Sequence, residues 1–270
     1  MNIDKHPCFN NKSHFKYGRM HLAVAPKCNV QCVYCDRKYD CANESRPGVT
    51  SRVLDVHEAI EYAEKTLNEN PVIKVIGIAG PGDPLANEET FQVLEALNEK
   101  YKDKIKCVST NGLLLPKYVD RLYDAGVEAL TVTLNTIDIK TGAKLYSFVN
   151  YEDITYKGEE GAKVLLDNQL KGIELAVKKG MTVKVNTVVV PDIKHKEITD
   201  ISKKLKELGV FVMNINSVIP AGMLKGITAL NKDEIIEIRR EAKKYMNQFE
   251  CCNQCRADAV GIPALEKRHI

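Results

Sequence analysis

Three cysteines near the start of the chain lie close enough in sequence to hold one metal centre. Residues 28–35 read CNVQCVYC, so Cys28, Cys32 and Cys35 follow a C-x3-C-x2-C pattern. A structural zinc site is normally built from two paired C-x2-C or H-x3-H units, which makes a zinc protein the weakest alternative. A cubane iron–sulfur cluster held by three cysteines leaves one iron open to another ligand. The pattern alone therefore leaves open whether the three cysteines form part of a closed site or hold a cluster with an open iron.

Six further cysteines are spread over the rest of the chain: Cys8, Cys41, Cys107, Cys251, Cys252 and Cys255. The chain has neither a signal peptide nor an apolar run long enough to span a membrane, so we expect a cytoplasmic protein. Nine cysteines there indicate metal ligation or redox chemistry rather than disulfides. A net charge of +3 on mixed-sign residues gives no reason to expect nucleic acid or a membrane as a partner, and we expect a monomer.

An α/β framework must position these cysteines. The strand candidates are residues 21–26, 72–80, 105–110, 128–135, 181–190 and 211–219, and the helix candidates are 55–68, 88–99, 116–125, 161–179, 195–208 and 232–248. Near-continuous β-branched runs that alternate with helices predict parallel strands in βα units. Six units predict a partial (β/α)6 barrel of the TIM type, because an eightfold barrel alone takes about 250 residues. A doubly wound open sheet is the alternative.

Candidate functional motifs follow four of these strands. CNVQCVYC follows the first strand, GPGDP (80–84) the second, STNG (109–112) the third and TLNT (133–136) the fourth. Turn chemistry explains the glycines and asparagines of each motif taken alone. In both candidate folds, however, the carboxyl ends of the strands form one edge, where active sites lie. The shared edge therefore predicts one common site.

The C-x3-C-x2-C loop after the first strand, with Tyr34 before its last cysteine, resembles the radical S-adenosylmethionine (SAM) superfamily. The resemblance implies a partial (β/α)6 barrel and a 4Fe–4S cluster on the three cysteines, whose open iron binds SAM. One electron then cleaves SAM to methionine and a 5′-deoxyadenosyl radical. The family's Gly-Gly-Glu-Pro turn reads GPGDP here, which still supplies a carboxylate for the methionine ammonium. The implied SAM-binding residues are Tyr34, Gly80, Asp83, Asn111, Thr133, Asn135 and Val188.

Further segments resemble the nitrogenase cofactor maturases of that superfamily, in the stand-alone form without a NifX-like domain. The segments are HPCFN (6–10), RMHLAVAPKCN (19–29), CANESRPGVTS (41–51), CVSTNG (107–112) and CRADAVG (255–261). The resemblance implies a lyase-type enzyme that fuses two 4Fe–4S substrate clusters, K1 and K2, with a SAM-derived carbide and an added sulfur. The product would be an 8Fe–9S–C cofactor precursor. The implied partners are cluster donors, an electron donor and a downstream cofactor carrier or scaffold.

The same resemblance implies the ligands of the substrate clusters. Cys8, Cys252 and Cys255 would hold K2, and His21, Cys41 and Cys107 would hold K1. Three cubanes with three ligands each use eight cysteines and one histidine, which leaves Cys251 spare. His6 and His14 compete with His21 for the role of the histidine ligand. Beside Cys41, Glu44 is the candidate catalytic residue, whereas Arg256 and Asp258 are expected to form a structural pair in the tail.

We expect three parts: an N-terminal cluster-ligand arm over 1–20, the partial barrel over 21–248 and a C-terminal cluster-ligand tail over 249–270. Both chain ends would then close the mouth of the barrel. Two other functions remain open from sequence. One is a different radical SAM enzyme that retains its auxiliary clusters after turnover, and the other is a non-catalytic iron–sulfur carrier, for which a SAM pocket would have no use.

Overall fold

The computed structural model describes residues 3–43, 50, 52–191 and 195–265. The strands are β1 Gly18–His21, β2 Val30–Cys32, β3 Ile73–Ile78, β4 Ile105–Thr110, β5 Val127–Thr133, β6 Tyr146–Tyr151, β7 Ile154–Tyr156, β8 Thr182–Val189, β9 Val212–Ser217 and β10 Val260–Gly261. The helices are α1 Val56–Glu69, α2 Glu88–Lys100, α3 Leu115–Asp124, α4 Ile139–Leu145, α5 Gly158–Lys178, α6 His195–Glu207 and α7 Lys232–Lys243. None of the helices in the described part of the chain has both the length and the apolar character that a membrane span needs.

The main sheet has the strand order β10-β1-β3-β4-β5-β8-β9. The six strands β1, β3, β4, β5, β8 and β9 are parallel. Each of them pairs with the strand of this sheet that follows it in sequence. A doubly wound sheet would reverse its order at a switch point, and this sheet does not. The strand order therefore confirms the predicted partial barrel and excludes the doubly wound alternative.

The two faces of the parallel strands differ in chemistry. One face is apolar and belongs to the main core: Ile76, Ile78, Val108, Leu130, Val132, Val183 and Val185. The alternate positions face the interior and line cavities: Val75, Cys107, Ser109, Thr131, Thr133, Lys184 and Asn186. Because successive side chains of a strand point to opposite faces, this alternation places the polar and thiol groups together inside the barrel.

Both chain ends pack against the barrel. The tail strand β10 pairs antiparallel with β1, with Arg19 opposite Gly261, and so covers an otherwise open sheet edge. The 3-10 turn Ser13–Phe15 packs against the turn Pro263–Leu265. The arm and the tail therefore lie on the same side of the barrel.

Two sequence predictions need correction, and two features of the fold were not predicted. The first strand is Gly18–His21 rather than 21–26, because residues 22–25 are buried by packing on all sides without forming a continuous ladder. The last helix ends at Lys243 rather than at 248. The two features that were not predicted are the small antiparallel sheet β2-β6-β7 and helix α4. The other five strand predictions and the other helix predictions are confirmed to within about three residues.

Candidate functional site

The three-cysteine loop is held in shape by its own neighbours. Cys32 lies at the end of β2 and pairs with Tyr146 of β6. The Gln31 side chain donates hydrogen bonds to the carbonyl groups of Cys32 and Cys35, at 3.1 and 2.9 Å. The Arg37 guanidinium donates to Gln31 Oε1 at 2.7 Å. Sequence reasoning missed Gln31 and Arg37, for which no motif exists beyond their proximity to the cysteines.

The loop opens onto a cavity at the carboxyl ends of the strands, here called the rim cavity. Its lining includes Cys28, Cys32, Cys35, Asp83, Asn111 and Thr133. Asn111 Nδ2 contacts the sulfur of Cys28 at 3.8 Å and donates to Asn29 Oδ1 at 2.7 Å. The structure thus brings the predicted cluster loop together with three of the predicted SAM-binding residues.

The close approach of the GPGDP turn to this loop requires a glycine. A Cβ atom at Gly82 would overlap the carbonyl group of Lys27, just before Cys28. The amide of Asp83 donates to the same carbonyl group at 2.8 Å. Gly80, a predicted SAM-binding residue, has φ of 147°, a value that favours glycine. The turn therefore fixes the start of the cysteine loop against the end of β3.

The donor set suits a multinuclear group. Within the described residues, no three His, Cys, Asp or Glu side chains converge closely enough to hold a single metal ion. The thiols of Cys28, Cys32 and Cys35 instead surround a cavity. Burial raises the pKa of Cys32 to about 12 and also raises the pKa of Cys28 and of Cys35. The three side chains are therefore neutral thiols without metal, and cluster binding must release their protons.

Asp83 joins the ends of β3 and β4. Its carboxylate accepts hydrogen bonds from Thr110 Oγ1 at 2.9 and 3.0 Å, from the amide of Asn111 and from the amide of Leu85. Burial raises the pKa of Asp83 to about 6, although these hydrogen bonds oppose the shift. A cation in the rim cavity would stabilise the ionised carboxylate.

Three other predicted SAM-binding residues are linked to one another. Asn135 Nδ2 donates to the hydroxyl group of Tyr34 at 2.6 Å, and Asn135 Oδ1 accepts from the amide of Val188 at 2.8 Å. The Tyr34 hydroxyl in turn donates to Asn43 Oδ1. All four residues are buried. Both polar ends of the Asn135 side chain are therefore occupied within the protein.

A second cavity lies inside the barrel and is here called the barrel cavity. Its lining includes His6, Cys8, His21, Cys107, Cys252 and Cys255. The structure thus brings together all three predicted K2 ligands, which come from opposite ends of the chain. It also places two predicted K1 ligands, His21 and Cys107, in the same cavity. The third, Cys41, lines the rim cavity instead.

The histidines of the barrel cavity differ in which ring nitrogen carries the proton. His21 Nδ1 lies 3.1 Å from the carbonyl oxygen of Arg256, which can only accept, so Nδ1 carries the proton and Nε2 keeps a lone pair. His14 Nδ1 lies at the same distance from the carbonyl oxygen of Pro7. His6 Nδ1 accepts from the amide of Cys8 at 3.1 Å, so its proton is on Nε2. His21 can therefore offer Nε2 to a metal, whereas His6 cannot.

The lack of a side chain at Gly77 of β3 leaves space for the imidazole ring of His21. A Cβ atom at Gly77 would lie 2.9 Å from Cδ2 of His21. Burial, helped by the nearby Arg19, lowers the pKa of His21 to about 3, so the imidazole is neutral. The predicted pair of Arg256 and Asp258 is confirmed as a two-pronged ion pair at 2.8 and 2.9 Å. Glu44, the candidate catalytic residue, lies outside the described residues.

Comparison with known proteins defines the class. The chain matches the family model of the radical SAM superfamily over residues 22–205. Its fold is similar to that of the crystal structure of Streptococcus suis SuiB bound to S-adenosylmethionine, with a TM-score of 0.64 at 16% identity, over 87% of this chain and 50% of that one. The chain is a radical SAM enzyme.

Sequence relatives narrow the class further. The FeMo cofactor biosynthesis protein NifB of Methanocaldococcus infernus is 46% identical over 96% of this chain and 86% of its own length. The protein of the same name from Methanocaldococcus jannaschii is 45% identical over 95% of this chain and 86% of its own length. The chain belongs to the NifB family, which confirms the resemblance found from its motifs.

Proposed function

We propose that this enzyme acts in FeMo cofactor biosynthesis as a lyase-type maturase. It fuses the substrate clusters K1 and K2 with a SAM-derived carbide and an added sulfur into an 8Fe–9S–C precursor. The observation that carries the proposal is that Ser109, at the end of β4, lines both the rim cavity and the barrel cavity. A SAM molecule in the first cavity would therefore adjoin substrate clusters in the second.

The rim cavity would hold the resident cofactors. Cys28, Cys32 and Cys35 would hold the resident 4Fe–4S cluster, which supplies the electron that cleaves SAM. Asp83 would receive the methionine ammonium, because its buried carboxylate lines the cavity and gains from a nearby cation. Asn111 keeps Cys28 in place through its contact with the sulfur atom.

Three further SAM-binding candidates make hydrogen bonds within the protein, which supports a structural role in the SAM site rather than direct contact with SAM. Tyr34, Asn135 and Val188 would shape the floor of the SAM site, since the side chain of Asn135 ties the other two together. Their burial also excludes water from the region beneath the cysteine loop. Thr133, which lines the rim cavity, and Gly80 complete the proposed set.

The barrel cavity would hold the substrates. K2 would bind Cys8, Cys252 and Cys255, which line one cavity. K1 would bind His21, Cys107 and Cys41, and because Cys41 lines the rim cavity, K1 would lie between the two cavities and nearer to SAM. The neutral His21 ligand suits a cluster that must leave, since imidazole adds no negative charge to the site, unlike a thiolate.

The surroundings of the enzyme are part of the proposal. Nine cysteines, none of which forms a disulfide in the described part of the chain, suit the reducing cytoplasm. A monomer there would take its clusters from donor proteins and its electrons from an electron donor, and would pass the product to a carrier or scaffold. Glu44 is the proposed proton-handling residue near K1.

The test follows the methyl carbon of SAM. The anaerobically reconstituted protein is reduced and given SAM that carries a radioactive label in its methyl group. We expect the label in the extracted iron–sulfur product, together with 5′-deoxyadenosine. Deoxyadenosine without label in the product would instead support a radical SAM enzyme that keeps its auxiliary clusters. The absence of any SAM cleavage would support a non-catalytic carrier.

A further inference from the structure

His6 lines the barrel cavity and carries a hydrogen-bond donor that no protein group uses. The side chain is 2% exposed and lines the cavity beside Cys8, Cys252 and Cys255. Its Nε2 atom is buried and has no hydrogen-bond partner. Buried polar atoms in folded proteins are almost always paired, so an unpaired donor on a residue that lines a cavity indicates a ligand there.

The geometry fixes the chemistry of this nitrogen. Because the amide of Cys8 donates to Nδ1 at 3.1 Å, Nδ1 has no proton and the neutral ring carries its proton on Nε2. An Nε2–H group cannot bind iron, but it can donate to an anion. The ring of Phe9, whose centroid lies 4.4 Å from that of His6, holds the imidazole in this orientation.

The surrounding wall favours a negatively charged ligand. The Lys184 ammonium lies 5.1 Å from the ring centroid of Phe9 and 3.3 Å from the carbonyl oxygen of Cys8, and Lys184 lines the same cavity. No aspartate or glutamate is among the described residues that line it. The inorganic sulfides of an iron–sulfur cluster are hydrogen-bond acceptors of the required charge.

We propose that His6 is a binding residue for K2, whose Nε2–H donates a hydrogen bond to an inorganic sulfide of the cluster at Cys8, Cys252 and Cys255. This rests on the proposed function only in requiring a cluster at those cysteines. The reduced cluster carries one more negative charge than the oxidised cluster. A donor at its sulfide therefore stabilises the reduced form and raises the reduction potential of K2.

Substitution of His6 by asparagine or by glutamine distinguishes the role of Nδ1 from that of Nε2. His6→Asn keeps an acceptor near the Nδ1 position for the amide of Cys8 but is too short to reach the Nε2 position. His6→Gln places an N–H donor near the Nε2 position. His57→Asn, on an exposed part of α1, is the matched control. The K2 signal in electron paramagnetic resonance is assigned by its loss in Cys252→Ala.

A redox titration of the reconstituted full chain then tests the proposal. We expect His6→Asn to lower the equilibrium constant for one-electron reduction of K2 about tenfold. This corresponds to a reduction potential about 59 mV more negative than that of the wild type. His6→Gln should retain most of the wild-type potential, and His57→Asn all of it. An unchanged potential in His6→Asn, or an equal shift in His6→Asn and His6→Gln, would overturn the proposal.

A second measurement keeps the test independent of small potential shifts. In the wild type, the Nε2 proton should give an exchangeable-proton coupling to reduced K2 that disappears in deuterated buffer. This coupling should be absent in His6→Asn and present in His6→Gln, and its persistence in His6→Asn would contradict the proposal. Absence of any K2 signal in the wild type would instead count against the ligand set of the proposed function.

Discussion

The rim cavity and the barrel cavity are both lined by thiols, but they are assembled in different ways. Three of the four rim thiols lie within eight residues of one loop, and Gln31 and Arg37 of the same segment hold that loop. The barrel thiols come from Cys8, Cys107 and the C-terminal pair, so this site exists only when both chain ends are docked. A local loop suits a cluster that stays, and a site closed by chain ends suits clusters that enter and leave.

The largest expected effect comes from breaking the rim site alone. Replacing Cys28, Cys32 or Cys35 with alanine should abolish reductive SAM cleavage, because no other cysteine of the loop can replace a missing ligand. Iron content should fall from roughly twelve to roughly eight per chain, since two cubanes remain. Deoxyadenosine assays and iron analysis measure both effects. Deoxyadenosine formation by all three variants would show that the resident cluster lies elsewhere.

A substitution in the barrel cavity should disrupt a substrate cluster and leave the cluster of the rim cavity intact. Cys252→Ala should lose roughly four irons per chain and the K2 signal, because one cubane loses a ligand, while SAM cleavage continues. The adjacent Cys251→Ala is the matched control and should keep the full iron content. Equal iron loss in both variants would mean that the choice between these neighbouring cysteines is wrong.

The same contrast explains how much could be predicted from sequence. The parallel strands and the cysteine loop each have a local signal, namely apolar runs and short ligand spacing. The β2-β6-β7 sheet was missed although aromatic and β-branched residues in 146–151 and 154–156 flank a two-residue turn at Glu152 and Asp153, which have positive φ. Two β-rich runs on either side of a short acidic turn are a hairpin signal in the sequence.

Other features had no local signal. The role of His6 depends on which backbone group meets its Nδ1 atom, and the position of Cys41 in the rim cavity depends on tertiary packing. The first strand was misplaced because residues 22–25 are buried by contacts on all sides, which gives the apolar run expected of a central strand. Burial alone cannot distinguish a ladder from an irregular buried segment.

A smaller effect is expected where β3 makes room for His21. Gly77→Ala should displace the imidazole, because the new methyl group would lie 2.9 Å from Cδ2 of His21. We expect weaker nitrogen hyperfine coupling to K1 in pulsed spectra and a stability loss of about 1–3 kcal/mol from overpacking. Gly226→Ala, where a methyl group meets nothing within 4 Å, is the control. Undiminished coupling in Gly77→Ala would argue against His21 as the ligand.

The smallest effect concerns the pH dependence of the cluster-free protein. Burial raises the pKa of Cys32 from 9.0 to about 12, so the folded chain keeps a proton that the unfolded chain loses above pH 9. Between these two pKa values, each rise of one pH unit therefore lowers the free energy of unfolding by about 1.4 kcal/mol through this thiol. Denaturant titrations at pH 9 and pH 10 should show a shallower pH dependence for Cys32→Ser. Equal slopes for both proteins would contradict the burial argument.

The central claim is that the chain binds one resident cluster and two substrate clusters, and the most direct test is to count the bound clusters. Anaerobic iron and sulfide analysis gives their number in the unmodified chain, and electron paramagnetic resonance before and after SAM addition shows which of them responds to SAM. We predict roughly twelve irons per chain, as three cubanes require, with SAM changing the signal of the rim cluster alone before turnover. Saturation at roughly four irons would leave a radical SAM enzyme without substrate clusters and would contradict the account.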